Sequence, residues 1–231
     1  MPDDEAARVR EVYDRRAVKG LDARYDYWQP ANLFIYQSRE RALLAFLRDT
    51  GMLPLDNRLF FDAGCGDGGV LRDLIRYGAA PESLYGLDLL EERVARAREL
   101  TPGAHIEAGD LQSIPHADQA FDLILGFTLL SSVKDDSVRQ RIASEMTRIA
   151  KPGGLIVLYD FWINPLNRDA RPLKHEEVRD LFRGHEIQFR GVTLAPPITR
   201  LLAKIPGGWL ACTVLEMIPF LRTHFLAAIR I

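Results

Sequence analysis

Residues Leu59 to Gly69 constrain the fold of this chain more than any other stretch. Leu59-Phe60-Phe61-Asp62-Ala63 is an apolar strand, Gly64-Cys65-Gly66-Asp67-Gly68-Gly69 a turn with four glycines, and a helical pattern follows. Glycines in such a turn let backbone approach a ligand closely, and a helix start offers unpaired N–H groups. A second strand ends at Tyr85-Gly86-Leu87-Asp88, with its carboxylate 22 residues after Gly66. An acidic residue at that separation can grip two ribose hydroxyls. A third strand ends at Ala108-Gly109-Asp110. Three acidic or glycine-rich strand ends in succession describe a nucleoside-binding edge.

The rest of the pattern says what kind of sheet carries that edge. Strands read at 59–62, 84–88, 105–108, 121–126 and 155–160 alternate with helical faces such as Val70, Leu71, Leu74 and Ile75, or Val138, Ile142, Met146 and Ile149. Lys151-Pro152-Gly153-Gly154 reads as a helix stop and turn. Alternation of this kind predicts an α/β fold with a parallel sheet covered on both faces. Beyond it come a helix near 174–183, a strand near 186–194 and a last strand at 223–231. Phe225 to Ile229 is apolar on both faces, which predicts a central rather than an edge position. Residues 1–36 form an N-terminal segment, read either as a helix and loop packed on the domain or as a cap over a ligand site. The domain proper is 37–231, with a helix over 38–48. Between the last two strands, 195–221 is an insertion with four prolines among Leu, Ile, Trp209 and Met217. It reads as a helical pair over the sheet end, or as an apolar lid or substrate wall in peripheral contact with a lipid surface. Its prolines and charges argue against a transmembrane helix.

Composition closes off several function classes. The chain has 231 residues, 47% hydrophobic and 27% charged, an ordinary globular balance that can bury a sizeable core without staples. A net charge of −2 gives no basic field for nucleic acid. Two cysteines, Cys65 and Cys212, make neither a disulfide framework nor a metal cluster, and no metal site is expected. The acidic start Met1-Pro2-Asp3-Asp4-Glu5 lacks the apolar stretch of a signal peptide, so a cytoplasmic location is the default.

Gly64-x-Gly66-x-x-Gly69 also fits the dinucleotide fingerprint, which is weak alone. Asp62 and Asp67 beside the turn would serve a pyrophosphate poorly. Asp62, at the strand end, can receive an ammonium group, and Asp110 can accept from an adenine amino group. A ligand with an amino-acid tail, a ribose and an adenine suits this set.

On these residues the sequence resembles the class I S-adenosylmethionine-dependent methyltransferases over roughly 38–160. Asp62-Ala63-Gly64-Cys65-Gly66-Asp67-Gly68 looks like the family's first motif and Asp88 its ribose-binding acid. Leu89 matches the residue beside the adenine, and Gly109-Asp110-Leu111 the adenine-binding segment. Phe121 to Ile124 resembles the fourth-strand motif, and Lys151 to Leu155 the turn before the fifth strand. The resemblance implies a Rossmann-like seven-stranded sheet of order 3-2-1-4-5-7-6, its last strand antiparallel, to which the reading of 1–36 and 195–221 adds an N-terminal helical cap and a helical lid between the last two strands. It implies S-adenosyl-L-methionine as cofactor and S-adenosyl-L-homocysteine as product. The cofactor-binding set expected is Asp62, Gly64, Gly66, Asp88, Leu89, Asp110, Leu111 and Phe127. A narrower resemblance is to bacterial methyltransferases encoded near polysaccharide and secondary-metabolite genes. It rests on Tyr159-Asp160-Phe161, Asn164-Pro165, Thr193 to Pro197 and Leu221 to His224.

Methyl transfer to a hydroxyl needs a base for the departing proton. Asp160, at the fifth strand's end, and His224, at the start of the last strand, are equal candidates, with His175 behind them. Tyr25, Trp28 and Tyr36 are candidates to stack on a substrate ring. Asp122 and Cys65 read as structural. The expected acceptor is a hydroxyl of a small molecule or glycan, handled by a monomer or homodimer. The alternatives are an N- or C-methyltransferase on a metabolite, a catalytically silent cofactor-binding scaffold and, more weakly, a nicotinamide oxidoreductase.

Overall fold

The computed structural model describes residues 2–18, 26–164, 167 and 169–231. Tyr25 and Pro165 lie outside the described residues. Seven strands form one sheet: β1 (Phe60–Ala63), β2 (Leu84–Asp88), β3 (His105–Ala108), β4 (Phe121–Phe127), β5 (Ala150–Phe161), β6 (Glu186–Leu194) and β7 (Arg222–Arg230). Their order is β3-β2-β1-β4-β5-β7-β6. Strands β1 to β5 pair in parallel, and β7 runs antiparallel between β5 and β6. This is the expected Rossmann-like order. The apolar run of β7 explains its place, since Phe225 to Ile229 are all buried.

Pleating sorts the side chains into two cores. On one face Phe60, Leu123, Leu125, Val157, Tyr159 and Leu226 pack under three helices: α2 (Pro30–Asp49), α3 (Gly69–Arg76) and α4 (Glu91–Leu100). On the other, Phe61, Ile124, Ile156, Leu158, Phe225 and Ala227 pack under α5 (Asp136–Ile149) and α6 (His175–Leu181). Ahead of these lies α1 (Pro2–Val18). Its Glu5 accepts from Lys134 N at 2.5 Å and its Arg8 donates to Ser132 O at 2.5 Å, so α1 is fastened across the segment after β4. The insertion folds as α7 (Pro196–Leu202) and α8 (Gly208–Glu216).

Two elements differ from the sequence reading. Helix α2 starts at Pro30 rather than 38 and runs through the 36/37 boundary. Proline at the first helical position presets φ and loses no helical hydrogen bond, and the Asn32 side chain ties the start to Asp26 O at 2.9 Å. Strand β5 begins at Ala150, so Lys151-Pro152-Gly153-Gly154 is a bulge inside the strand rather than a turn before it. Gly153 N donates to Ile231 O at 2.7 Å, and Lys151 Nζ pairs with Asp122 at 2.7 Å, which settles the extra residues against their neighbours.

Candidate active site

The carboxyl ends of β1, β2 and β4 meet beneath the glycine turn. Gly64 and Gly66 have φ of 73° and 52°, the left-handed region that favours glycine. A Cβ on Gly66 would stand 2.7 Å from the Arg93 guanidinium, and one on Gly64 would stand 3.0 Å from Leu129. The turn is tied to β2: Gly64 N donates to Leu87 O at 2.8 Å and Gly66 N to Asp88 Oδ2 at 2.8 Å. Asp88 also accepts from Leu90 N at 3.0 Å. Arg93 pairs with Asp67 at 2.9 Å and lies under the Tyr13 ring of α1, 5.1 Å from its centroid. The N-terminal helix therefore reaches over the glycine turn.

Asp62 is the least settled polar group of this edge. It is 1% exposed, and its Oδ2 has no hydrogen-bond partner among the described residues. Burial first, and the nearby Asp88 second, push its carboxyl up to about 7, while Arg39 pulls the other way. An orphaned buried acceptor costs free energy that a cationic donor would recover. Burial also pushes the Cys65 thiol well up, so it is no nucleophile at neutral pH, in keeping with a small turn residue.

Arg39 of α2 was not singled out from the sequence. Its guanidinium carbon lies 5.1 Å from the Tyr36 ring centroid, 5.2 Å from that of Phe127 and 5.5 Å from that of Tyr159. Among the described residues it makes a long ion pair of 3.5 Å with Asp73. A signal was present: Arg39, Leu43 and Leu47 are spaced at i, i+4, i+8, so a cation sits on the apolar stripe of the helix.

Pleating separates the two candidate bases. Phe127 pairs in register with Tyr159, and Phe161 with His224, so Phe127, Tyr159, Phe161 and His224 share the sheet face of Asp62. The His224 ring stacks on Tyr159 with centroids 5.2 Å apart, and Thr223 Oγ1 lies 3.0 Å from its Nδ1. Burial, and then Arg39, push its pKa down to about 4, so the imidazole is neutral at pH 7. Asp160 faces the other way, in register with Phe225. It is 1% exposed and accepts from Ser131 N at 3.0 Å and Phe161 N at 2.9 Å. Burial raises its carboxyl to about 6. His175 packs on Phe189 and Phe225, also on that opposite face.

The remaining expected residues are dispersed around the edge. Leu89 is half-buried beside Asp88, while Leu111 belongs to the core under α5. Asp110 is exposed, with both carboxylate oxygens taken by Gln112. Trp28 is 76% exposed, whereas Tyr36 stacks on Tyr27 and joins the Arg39 cluster. A separate open cleft of about 470 Å³ lies past the end of β5, lined by Trp162, Ile163, Asn164, Arg171, Pro172, Lys174 and Glu177. It has neither glycine turn nor free carboxylate, so the Asp62 edge remains the better nucleoside site.

Known proteins share this fold and part of this sequence. The chain is 28% identical over 178 residues to 27-O-demethylrifamycin SV methyltransferase of Amycolatopsis mediterranei, covering 71% of this chain and 60% of that one. It is 31% identical over 127 residues to norajmaline N-methyltransferase of Rauvolfia serpentina, covering 52% of this chain and 41% of that one. A solved S-adenosylmethionine dependent methyltransferase from Mesorhizobium loti superposes with a TM-score of 0.57 at 20% identity, over 81% of this chain and 96% of that one. Residues 61–158 match the family model of a methyltransferase domain. Over residues 61–158 this chain is similar to a methyltransferase domain, and its fold is that of a solved S-adenosylmethionine dependent methyltransferase. The aligned part of the chain thus spans 60% and 41% of the two named relatives. The cofactor of the methyltransferase domain is S-adenosylmethionine. The buried Asp62 carboxylate, with its Oδ2 unpartnered among the described residues, suits the ammonium of its methionine end, and Asp88 at the end of β2 suits its ribose. No helix among the described residues is long and apolar enough to cross a membrane.

Proposed function

We propose that this protein moves a methyl group from S-adenosylmethionine to a hydroxyl of a small-molecule or glycan acceptor. The carrying observation is the buried Asp62 carboxylate, whose Oδ2 has no hydrogen-bond partner among the described residues, beside a left-handed glycine turn and Asp88. When bound, the cofactor supplies a sulfonium methyl, open to in-line displacement with a neutral thioether leaving. The chain's own part is to hold, align and exclude water. Asp62 takes the ammonium and Arg39 the carboxylate of the methionine end, while Asp88 takes the ribose hydroxyls. Asp110 turns from Gln112 to the adenine amino group, with Leu89 and Leu111 beside the ring. Phe127 and Tyr159 wall the methyl side. His224, neutral and on the same sheet face, receives the acceptor's proton. Asp160 is a positioning residue: its carboxylate pins the turn after β4 to the end of β5.

A second reading is methylation of an amine. A cation already rests among Tyr36, Phe127 and Tyr159, and such rings favour ammonium groups. An amine lone pair also needs no strong base, and His224 is a weak one. Transfer of labelled methyl to panels of hydroxyl and amine acceptors separates the two. His224→Ala should lower kcat about 100-fold for a hydroxyl acceptor with little change in KM. Unchanged kcat on the best hydroxyl acceptor removes His224 from the reaction.

A further inference from the structure

The insertion leaves an apolar face without a cover. Helices α7 and α8 bury their inner side: Cys212 is fully buried with Phe34 and Leu194, and Ile198, Leu202 and Leu215 pack against that cluster. Glu216 faces inward as well, accepting from Ser38 Oγ at 2.5 Å and from Leu194 N at 3.1 Å. The outer side is apolar too. Leu210, Val214 and Met217 are 71%, 53% and 71% exposed, and their i, i+4, i+7 spacing puts them in one stripe. Leu201 of α7 and Phe220, just past α8, are likewise exposed, at 73% and 77%. A helix apolar all round normally lies within a core. A concentration of large exposed apolar side chains marks an interaction surface.

Charge indicates the occupant. The outward charges of 196–221 are Arg200 and Lys204, both positive, because the one acid of the segment, Glu216, is turned inward. Arg41 of α2, its side chain 61% exposed, pairs with Glu216 at 3.9 Å and offsets that acid, which leaves Arg200 and Lys204 as the net charge of the segment. This basic rim stands on a chain whose net charge is −2. A symmetric contact between two copies of the face would bring the rims of like charge together. Anionic phosphates beside hydrocarbon match both parts of the surface. The nine-residue α8 is about 13 Å long, suited to lying in the headgroup boundary and far too short to cross it.

We infer that α7 and α8 dock the protein peripherally on an anionic lipid bilayer, with Leu201, Leu210, Val214, Met217 and Phe220 entering the interface. This goes beyond methyl transfer and is read without it. The test is sedimentation of the full chain with phosphatidylglycerol-containing vesicles and with pure phosphatidylcholine vesicles, at low and high salt. The wild-type protein should bind the anionic vesicles and release in high salt. Replacing Arg200 and Lys204 by Gln should weaken that binding about 30-fold, roughly fivefold for each cation near the surface. Replacing Leu210, Val214 and Met217 by Ser should weaken it by at least about 100-fold. Both variants should keep the wild-type melting temperature and its shift with S-adenosylhomocysteine, since Leu210, Val214 and Met217 are exposed side chains and Arg200 and Lys204 lie at the surface. Three results overturn the inference: no binding to anionic vesicles at low salt, equal binding by the Ser variant, or a wild-type dimer in solution that the Ser variant dissolves. The last would assign the face to a second copy.

Discussion

Asp62 couples the charge of the site to ligand and pH. With its carboxyl raised to about 7, the folded chain holds a proton there that the unfolded chain has lost above the usual carboxylate range. The stability it contributes is full below that range and is lost as pH rises through about 7. Asp62→Asn should therefore be more stable than wild type at about pH 8, by at most roughly 4 kcal/mol, and show no such gain at about pH 4. Urea unfolding at the two pH values checks this. An ammonium beside Asp62 requires the charged form, so S-adenosylhomocysteine should bind about tenfold more tightly per pH unit between about 5 and 7, then level off. Calorimetry should show a flat profile for the Asn variant. Arg39 answers to a different half of the ligand. Arg39→Met should weaken S-adenosylhomocysteine about 10- to 100-fold and leave methylthioadenosine, which has no carboxylate, unchanged. Equal losses for both ligands would mean that Arg39 merely packs the rings. Asp62 and Asp88 were legible because they end strands beside glycines. Arg39 was not, because a single cation on a helix reads as surface until the helix is docked.

At the scale of elements, one buried cation holds several segments together. The Arg139 side chain of α5 is fully buried and donates to Val133 O at 2.7 Å and Arg171 O at 2.9 Å, and it pairs with Glu177 of α6 at 2.5 Å. Arg139→Met keeps the apolar stem but strips those carbonyls of a donor. Glu177 keeps Arg171 as a partner. The expected cost is about 2–4 kcal/mol, read by urea unfolding, with the slope of the transition unchanged. Nothing in the spacing of α5 announced this, since Arg139 follows Val138 and so falls just off the stripe of Val138, Ile142 and Met146. Strand parity, by contrast, is written in the sequence. Even-numbered Asp160 lies with Ile156 and Leu158, and His224 lies opposite Phe161. The missing piece was the register between β5 and β7, which alternation within one strand does not reveal.

Over the whole molecule, parallel pairing was readable where helical crossovers join β1 to β2, β2 to β3 and β4 to β5, and a central place for β7 was readable from its doubly buried run, whereas the order of the seven strands followed from the family resemblance, since β3 and β4 are joined without a helix. The same topology gathers the ligand groups at one edge. Asp62, Asp88, Phe127 and Tyr159 come from β1, β2, β4 and β5, and Arg39 comes from the helix laid over them. A ligand gripped there ties separate crossovers together, so its binding energy enters the global unfolding equilibrium rather than one loop. At about one hundred times its dissociation constant, S-adenosylhomocysteine should add about 2.7 kcal/mol and raise the melting temperature by roughly 5–10 °C. NAD at the same concentration should leave it unmoved, because a pyrophosphate laid on the glycine turn would meet Asp62 and Asp67 without gaining a partner for either. A shift with NAD and none with S-adenosylhomocysteine would reassign the edge to a dinucleotide. A shift with neither would detach the Asp62 geometry from nucleoside binding altogether.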